Sequence, residues 1–215
     1  MYIPRSFKET DQDLVRAFLR EHGFATLVSI DGNRPVATHL LLDSRTLEDG
    51  RLALCGHMAR SNSQWETFRG ASEVLAIFQG PHSYVSARWY SVPSAPTWNY
   101  TSVHAYGVPR IIEDRGELFA LLKRLVDSQE GRYPSGKRYA IESLSDDILQ
   151  GMMNGIVGFE IVVSRTEAAA KMSQNRSEKD YQNIIDKLNE QEDSGSRAVA
   201  AEMERRKGPG RADRS

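Results

Sequence analysis

The chain has 215 residues, 40% of them hydrophobic and 27% charged, with a formal net charge of -1 at pH 7. That length builds one good core with at most a small appendage, and near-neutrality excludes a global electrostatic pull toward nucleic acid or an acidic membrane surface. No apolar run approaches the roughly 20 residues of a membrane helix, Met1-Tyr2-Ile3-Pro4-Arg5 lacks the layout of a signal peptide, and the single cysteine, Cys55, excludes an internal disulfide or a multi-cysteine metal site. A cytoplasmic protein is expected.

Residues 9–22 read as a short amphipathic helix: Thr10 or Asp11 can cap it, Leu14/Phe18 and Val15/Leu19 form i,i+4 apolar pairs, and Gly23 can supply a left-handed stop. Residues 24–30 and 35–42 flank Asp31-Gly32-Asn33 and predict a hairpin. A turn at Glu48-Asp49-Gly50 leads into a strand over 51–56, followed by a helix over 59–68. Residues 74–78 form a continuous apolar run, hence a buried strand, with 84–86 following across Gly80-Pro81. The prolines at 93 and 96 predict an irregular loop over 91–99, and 103–112 resume strand character. Helices are predicted over 117–129, where Leu118, Leu121, Leu122 and Leu125 make the stripe, and over 145–153, with a loop at 132–137 between them. A last strand covers 156–163, and Ser177 opens a helix carrying Tyr181, Ile184, Ile185 and Leu188 on one face, with Asp180 at the capping-box position.

From about Gln191 the apolar pattern fades; 198–206 can form a frayed helix, and 205–211 are basic and turn-rich. The expected division is therefore one domain over 1–190 and a disordered tail over 191–215. About six strands with hairpin spacing, and helices set between the later ones, predict a mainly β fold with peripheral helices, a small barrel.

Three polar-aromatic clusters stand out against this framework. They are Gly56-His57-Met58-Ala59-Arg60-Ser61-Asn62, Pro96-Thr97-Trp98-Asn99-Tyr100 and Lys171-Met172-Ser173-Gln174-Asn175-Arg176. Arg60, in the first turn of the predicted helix, has the fork that grips a phosphate, and Ser61 and Asn62 add neutral donors. Trp98 and Tyr100 offer ring faces for stacking. A solvated Arg60, a capped turn at His57, packed aromatics and a polar helix entrance explain each cluster singly. Their occurrence together in one short chain points to a flat, anionic ligand. None supplies a nucleophile–base–acid set, a phosphate-binding glycine loop or zinc spacing. Free imidazoles at His39, His82 and His104 leave haem ligation open, and Cys55 reads as a small buried hydrophobe.

These blocks, with Trp65, Phe78-Gln79-Gly80-Pro81, Tyr84-Val85-Ser86, Trp89-Tyr90, Val103-His104 and Ile156-Val157-Gly158-Phe159-Glu160, resemble the PaiB family, described as FMN-binding negative transcriptional regulators. The resemblance runs from Met1 to about Leu188. It implies the FMN-binding split-barrel fold, related to pyridoxamine-phosphate oxidases, built as a homodimer with flavin at the subunit interface. Carried over block by block, it implies that His57, Met58, Ala59, Arg60 and Asn62 line the phosphate and ribityl region, and that Thr38 and His39 approach the ring edge. Trp98 and Asn99 would come from the partner subunit, with Lys171, Ser173, Gln174 and Asn175 closing the site. The chain departs from the pattern at Leu41, Ser63 and Ala87-Arg88, where prolines or a Pro-Ser step are usual; such losses loosen loop entries more than they change ligand chemistry.

Two kinds of function follow from the resemblance. One is an FMN-binding transcriptional regulator or flavin-dependent sensor. The chain shows no helix-turn-helix, zinc module or basic recognition helix, so DNA contact has support only from the basic end near 205–211. The other is a flavin-dependent oxidoreductase acting on a small substrate, with His39 or His57 as proton donor or acceptor; a haem-binding split barrel ranks behind both.

Overall fold

The structure, a computed structural model, describes residues 1–70, 73–133, 136 and 138–207. Its elements in chain order are β1 (Lys8–Glu9), α1 (Gln12–Glu21), β2 (Phe24–Asp31), β3 (Arg34–Leu41), β4 (Asp43–Thr46), β5 (Leu52–Ala59), β6 (Val74–Val85), β7 (Thr97–Ile112), α2 (Arg115–Glu130), α3 (Asp146–Asn154), β8 (Ile156–Lys171), α4 (Glu178–Asn189) and α5 (Ser194–Arg205). Eight strands form one mainly antiparallel sheet in the order β3-β2-β6-β7-β8-β5-β4, with β1 added on β8, and the sheet is not closed. No helix among the described residues is long and apolar enough to cross a membrane.

The chain divides into two compact units. One comprises residues 19–78 and 105–166. Here β2 and β3 make the predicted hairpin: Asp31 pairs with Arg34 across a two-residue turn, and Gly32 takes the positive φ (58°) that the turn needs. In β2 the side chains alternate, with Ala25, Leu27 and Ser29 turned inward. The leucine stripe of α2 is buried as its spacing requires, against Cys55, Ile112, Ile141 and Met153. Asp114 caps α2 by accepting from the Glu117 N–H at 2.8 Å. Gly23 does not adopt the left-handed conformation expected of a helix stop. A Cβ there would lie 3.0 Å from Leu41 Cδ1 and 3.1 Å from the Leu42 carbonyl, so close packing is what the glycine serves.

The other unit comprises residues 1–18, 79–104 and 167–215 as far as they are described. Its core is Val85 and Met172 with Tyr181, Ile184, Ile185 and Leu188 of α4 and Val199, Ala200 and Met203 of α5. Ser177 caps α4 through the Asp180 N–H (3.2 Å), while the Asp180 carboxylate accepts the Ser91 N–H at 2.7 Å instead of closing a capping box.

Several expectations change. The tail is helical over Ser194–Arg205: Asp193 caps it through the Ser196 N–H, and the Tyr181 hydroxyl donates to the Met203 carbonyl, both at 2.7 Å. The buried stripe on α5 is short, Ser196, Val199, Ala200 and Met203, and two of its four members are small, so it carries little apolar periodicity. Residues 208–215, with the rest of the basic end, and residues 134, 135 and 137 of the predicted loop lie outside the described residues. The helix expected over 59–68 is a 3-10 segment, Ser63–Phe68, because Asn62 caps the nearby Gln64 N–H and tightens the turn. β8 continues to Lys171 through an Ala-rich stretch that favours helix by propensity, held extended by the pairs Lys8↔Ala169 and Glu9↔Ala168. β7 likewise begins at Thr97, inside the loop that the prolines predicted, and β6 runs unbroken through Gly80-Pro81.

Candidate functional site

Seven of the thirteen candidate binding residues fall in the unit of residues 19–78 and 105–166, and they come from β3, β5 and the turn after β5. Two of them, Thr38 and Asn62, share a polar network. Asn62 Nδ2 donates to Thr38 Oγ1 at 2.8 Å, and that hydroxyl donates on to Gln64 Oε1. Gln64, 4% exposed, sends its own Nε2 to the Leu27 carbonyl (2.9 Å) and to Ser29 Oγ (3.2 Å). Thr67 also donates to Ser29, at 2.8 Å. The network welds β2, β3 and the 3-10 segment together, so the Thr38 and Asn62 side chains are fixed in place before any ligand arrives.

The neighbouring residues differ in what they leave open. His57 is half-buried in β5, opposite Gly158 of β8, and its buried Nδ1 has no hydrogen-bond partner. Burial pushes the imidazole below its ordinary range, so the ring is held neutral. His39 is exposed; Thr26 Oγ1 meets its Nδ1 at 2.9 Å, and Phe24 stacks beside it at 6.3 Å. Ala59 is exposed, whereas Met58 points into the core at 4% exposure. Arg60 is not a free helix residue: its Nε donates to the Asn154 carbonyl (2.9 Å) and its Nη2 to the Ile156 carbonyl (2.8 Å), clasping the end of α3 and leaving Nη1.

The other six candidates fall in the second unit. Trp98 is half-exposed and shares a surface cluster with His82 (5.8 Å, tilted) and Tyr84 (6.3 Å, edge-on). Asn99 is fully buried; it accepts from Ser173 Oγ at 2.9 Å and donates to Met203 Sδ at 3.3 Å. Ser173 reaches this position with φ of 55°, the one non-glycine residue of positive φ among those described. Gln174 accepts the Met172 N–H at 2.7 Å and donates to the Ala170 carbonyl (2.6 Å) and the Ser6 carbonyl (3.0 Å). Lys171 donates to Thr97 Oγ1, and Asn175 is exposed.

Sequence reasoning missed Gln64, although a glutamine four residues before Phe68, both buried, is a polar residue on the apolar face of an apparent helix. It also missed an ion cluster built on a buried carboxylate. Glu160, 5% exposed, accepts from Arg45 Nε at 3.0 Å, from Arg110 Nη2 at 3.2 Å and from Cys55 Sγ at 3.5 Å. Burial pulls Glu160 upward, but the arginine hydrogen bonds outweigh it and hold the carboxyl below its ordinary range. Burial first, then the Glu160 charge, pushes Cys55 up to about 11, so it is a protonated thiol and no nucleophile. Among the described residues there is no cluster of three His, Cys, Asp or Glu side chains suited to a metal.

Comparisons with known proteins bear on the family and the fold. A family model described as "Putative FMN-binding domain" matches residues 1–165. The chain is 39% identical over 204 residues, 95% of its length and 97% of the relative's, to the "Protease synthase and sporulation protein PAI 2" of Bacillus subtilis (strain 168). Among solved structures it is similar to the FAD and heme binding protein from Mycobacterium smegmatis (15% identity, TM-score 0.54, covering 76% of this chain and 73% of that one). It is also similar to the flavocytochrome Anf3 from Azotobacter vinelandii (14% identity, TM-score 0.55, covering 82% and 75%). At such identities these likenesses show the fold alone, and that fold is the split-barrel class expected from the sequence.

Proposed function

This chain belongs to the PaiB family of FMN-binding proteins, and from that premise we propose that it is a cytoplasmic, homodimeric flavin sensor with a regulatory output. FMN is the cofactor of the family. The observation that carries the regulatory reading is the 39% identity over nearly the whole of both chains to a relative whose name ties it to protease synthesis and sporulation.

The residues present suit the cofactor on a physical count. The buried His57 Nδ1 lacks a partner, and an unsatisfied buried polar atom costs about 1–3 kcal/mol unless something supplies the bond. A neutral imidazole on β5 and the pre-set Thr38 hydroxyl and Asn62 amide of the same unit can together face the polar edge of a flavin. In this proposal Thr38, His39, His57, Ala59 and Asn62 orient FMN, Met58 supports the strand from the core side, and Arg60 offers its remaining Nη1 to the phosphate. Bound FMN supplies electron and hydride transfer; the protein supplies orientation and exclusion of water. Trp98 and Asn99, with Lys171, Ser173, Gln174 and Asn175 behind them, complete the site from the second copy. Of these Trp98 presents the ring, and Asn99, Ser173 and Gln174 hold the backbone that carries it.

Regulation through direct DNA contact has less support. Arg205, Arg206 and Lys207 face Glu202, Glu9 and Glu178, and a cation already matched to a carboxylate gains little from a phosphate. The output is therefore assigned to a flavin-dependent contact with another protein. A second reading, a flavin oxidoreductase, draws on His39, whose Nδ1 is engaged by Thr26 and whose exposed ring leaves Nε2 for a substrate proton.

The deciding experiment is the visible spectrum of purified protein before and after adding FMN and desalting, then NADPH. A retained flavin band supports the proposal; a colourless protein that releases added FMN ends it. Rapid bleaching by NADPH moves the assignment to the oxidoreductase. Trp98→Ala is expected to weaken both FMN retention and the dimer seen by sedimentation; an intact dimer with intact flavin would remove Trp98 from the interface.

A further inference from the structure

We propose that the unit of residues 19–78 and 105–166 carries a second binding site, for a small carboxylate with an apolar body. The site is a cavity of about 230 Å³. At one water's share of liquid volume per heavy atom, that is room for roughly eight atoms. It is below the usual range of cofactor pockets, about 300–1,000 Å³, and too small for a whole flavin mononucleotide.

Its walls explain the ligand class. Three arginines line it, Arg60, Arg69 and Arg115, against a single carboxylate, Glu113. Each guanidinium is held in place by neutral partners. Arg60 is clasped by the Asn154 and Ile156 carbonyls, and Arg115 donates to Asn154 Oδ1 at 2.9 Å and to Gln150 Oε1. Arg69 lies over the Trp65 ring, 5.6 Å from its centroid, and the indole N–H is tied to the Arg60 carbonyl at 3.0 Å. The positive charge is thus positioned without being neutralised, the condition in which an arginine fork gains most from a carboxylate.

The rest of the lining is apolar, including Ile112, Leu118 and Met153. A bare inorganic anion would leave that floor facing water, and an apolar molecule without a charge would leave the arginines unmatched. An apolar carboxylate answers both. The site shares Arg60 with the flavin assignment, which uses its Nη1, and goes beyond that assignment through Arg69 and Arg115, which take no part in it.

Calorimetric titration of the full chain with hexanoate, hexan-1-ol and hexylamine, each with and without saturating FMN, tests this. Hexanoate is expected to bind saturably in both states, less tightly with FMN present because the two share Arg60, the alcohol much more weakly and the amine not at all. Arg69→Gln, at an exposed residue whose guanidinium lies over the Trp65 ring, should lower hexanoate affinity at least about tenfold, the loss of one charged hydrogen bond. It should leave FMN affinity, read from the visible band, unchanged. Absence of saturable hexanoate binding, equal binding of hexylamine, an unaltered affinity in Arg69→Gln, or displacement of FMN by hexanoate would each overturn the proposal. Failure to hold FMN would sink the flavin reading alone, since the flavin-free titration still reports on this cavity.

Discussion

The two polar blocks of this chain, one in each compact unit, use the same residue types for opposite ends. In the unit of residues 1–18, 79–104 and 167–215, Asn99, Ser173 and Gln174 spend their donors and acceptors on one another and on nearby backbone. In the other unit, Gln64 absorbs the burial cost of the network, so that Thr38 and Asn62 are held rigid while His57 Nδ1 stays open. A dense run of hydrogen-bonding side chains therefore does not by itself mark a ligand. What marks one is a saturated support standing behind an unsaturated group.

The largest expected effect breaks the first half of that contrast. Met203 of α5 is fully buried and receives Asn99 Nδ2 through its sulfur. Met203→Ala should cost about 2–5 kcal/mol, as large-to-small core changes do, with a further loss from the orphaned Asn99 amide. Urea melts would read this. If instead stability barely moves and FMN affinity collapses, the Asn99 block touches the ligand itself and does not merely hold the backbone behind Trp98.

An intermediate effect addresses the second half. Gln64→Leu keeps most of the volume but removes every bond that fixes Thr38 from beneath. About 1–3 kcal/mol of stability should be lost for the polar groups left unpaired, and FMN retention should fall with it. A variant that melts lower yet holds flavin normally would confine Gln64 to structure.

How far this was legible in the sequence depends on the kind of signal. The β2–β3 hairpin, the leucine stripe of α2 and the Ser177 cap rest on local periodicity and turn chemistry, and they are found where those rules put them. β4 was missed because Asp43-Ser44-Arg45-Thr46 carries no apolar alternation; its pairing with β5, and the Arg45–Glu160 ion pair it delivers, are tertiary facts. The alanines of β8 favour helix locally and are overruled by β1. At the candidate site the blocks themselves could be read, but the division of labour within them could not. Whether Asn99 or Asn62 faces a ligand is decided by which partners the fold brings within reach, and Met203 lies 104 residues from Asn99.

The smallest effect sharpens the comparison at a single atom. Burial holds the His57 imidazole below its ordinary value of 6.5, so on acidification the unfolded chain takes up a proton before the folded one does. Stability is then unaffected by this group above about pH 6.5 and falls as pH drops from there to the folded value, with a slope of at most about 1.4 kcal/mol per pH unit. Burial lowers His104 as well and adds to the slope, which is why the measurement must compare His57→Asn with the parent chain. The variant should flatten part of the acid limb of a stability–pH profile and leave the rest. If FMN covers the ring, adding it buries His57 further and carries the parent's acid limb to lower pH, while the variant gains no such extension. Identical limbs with and without flavin in the parent would place the open Nδ1 outside the flavin contact, and leave Thr38, His39, Ala59 and Asn62 to orient the cofactor without it.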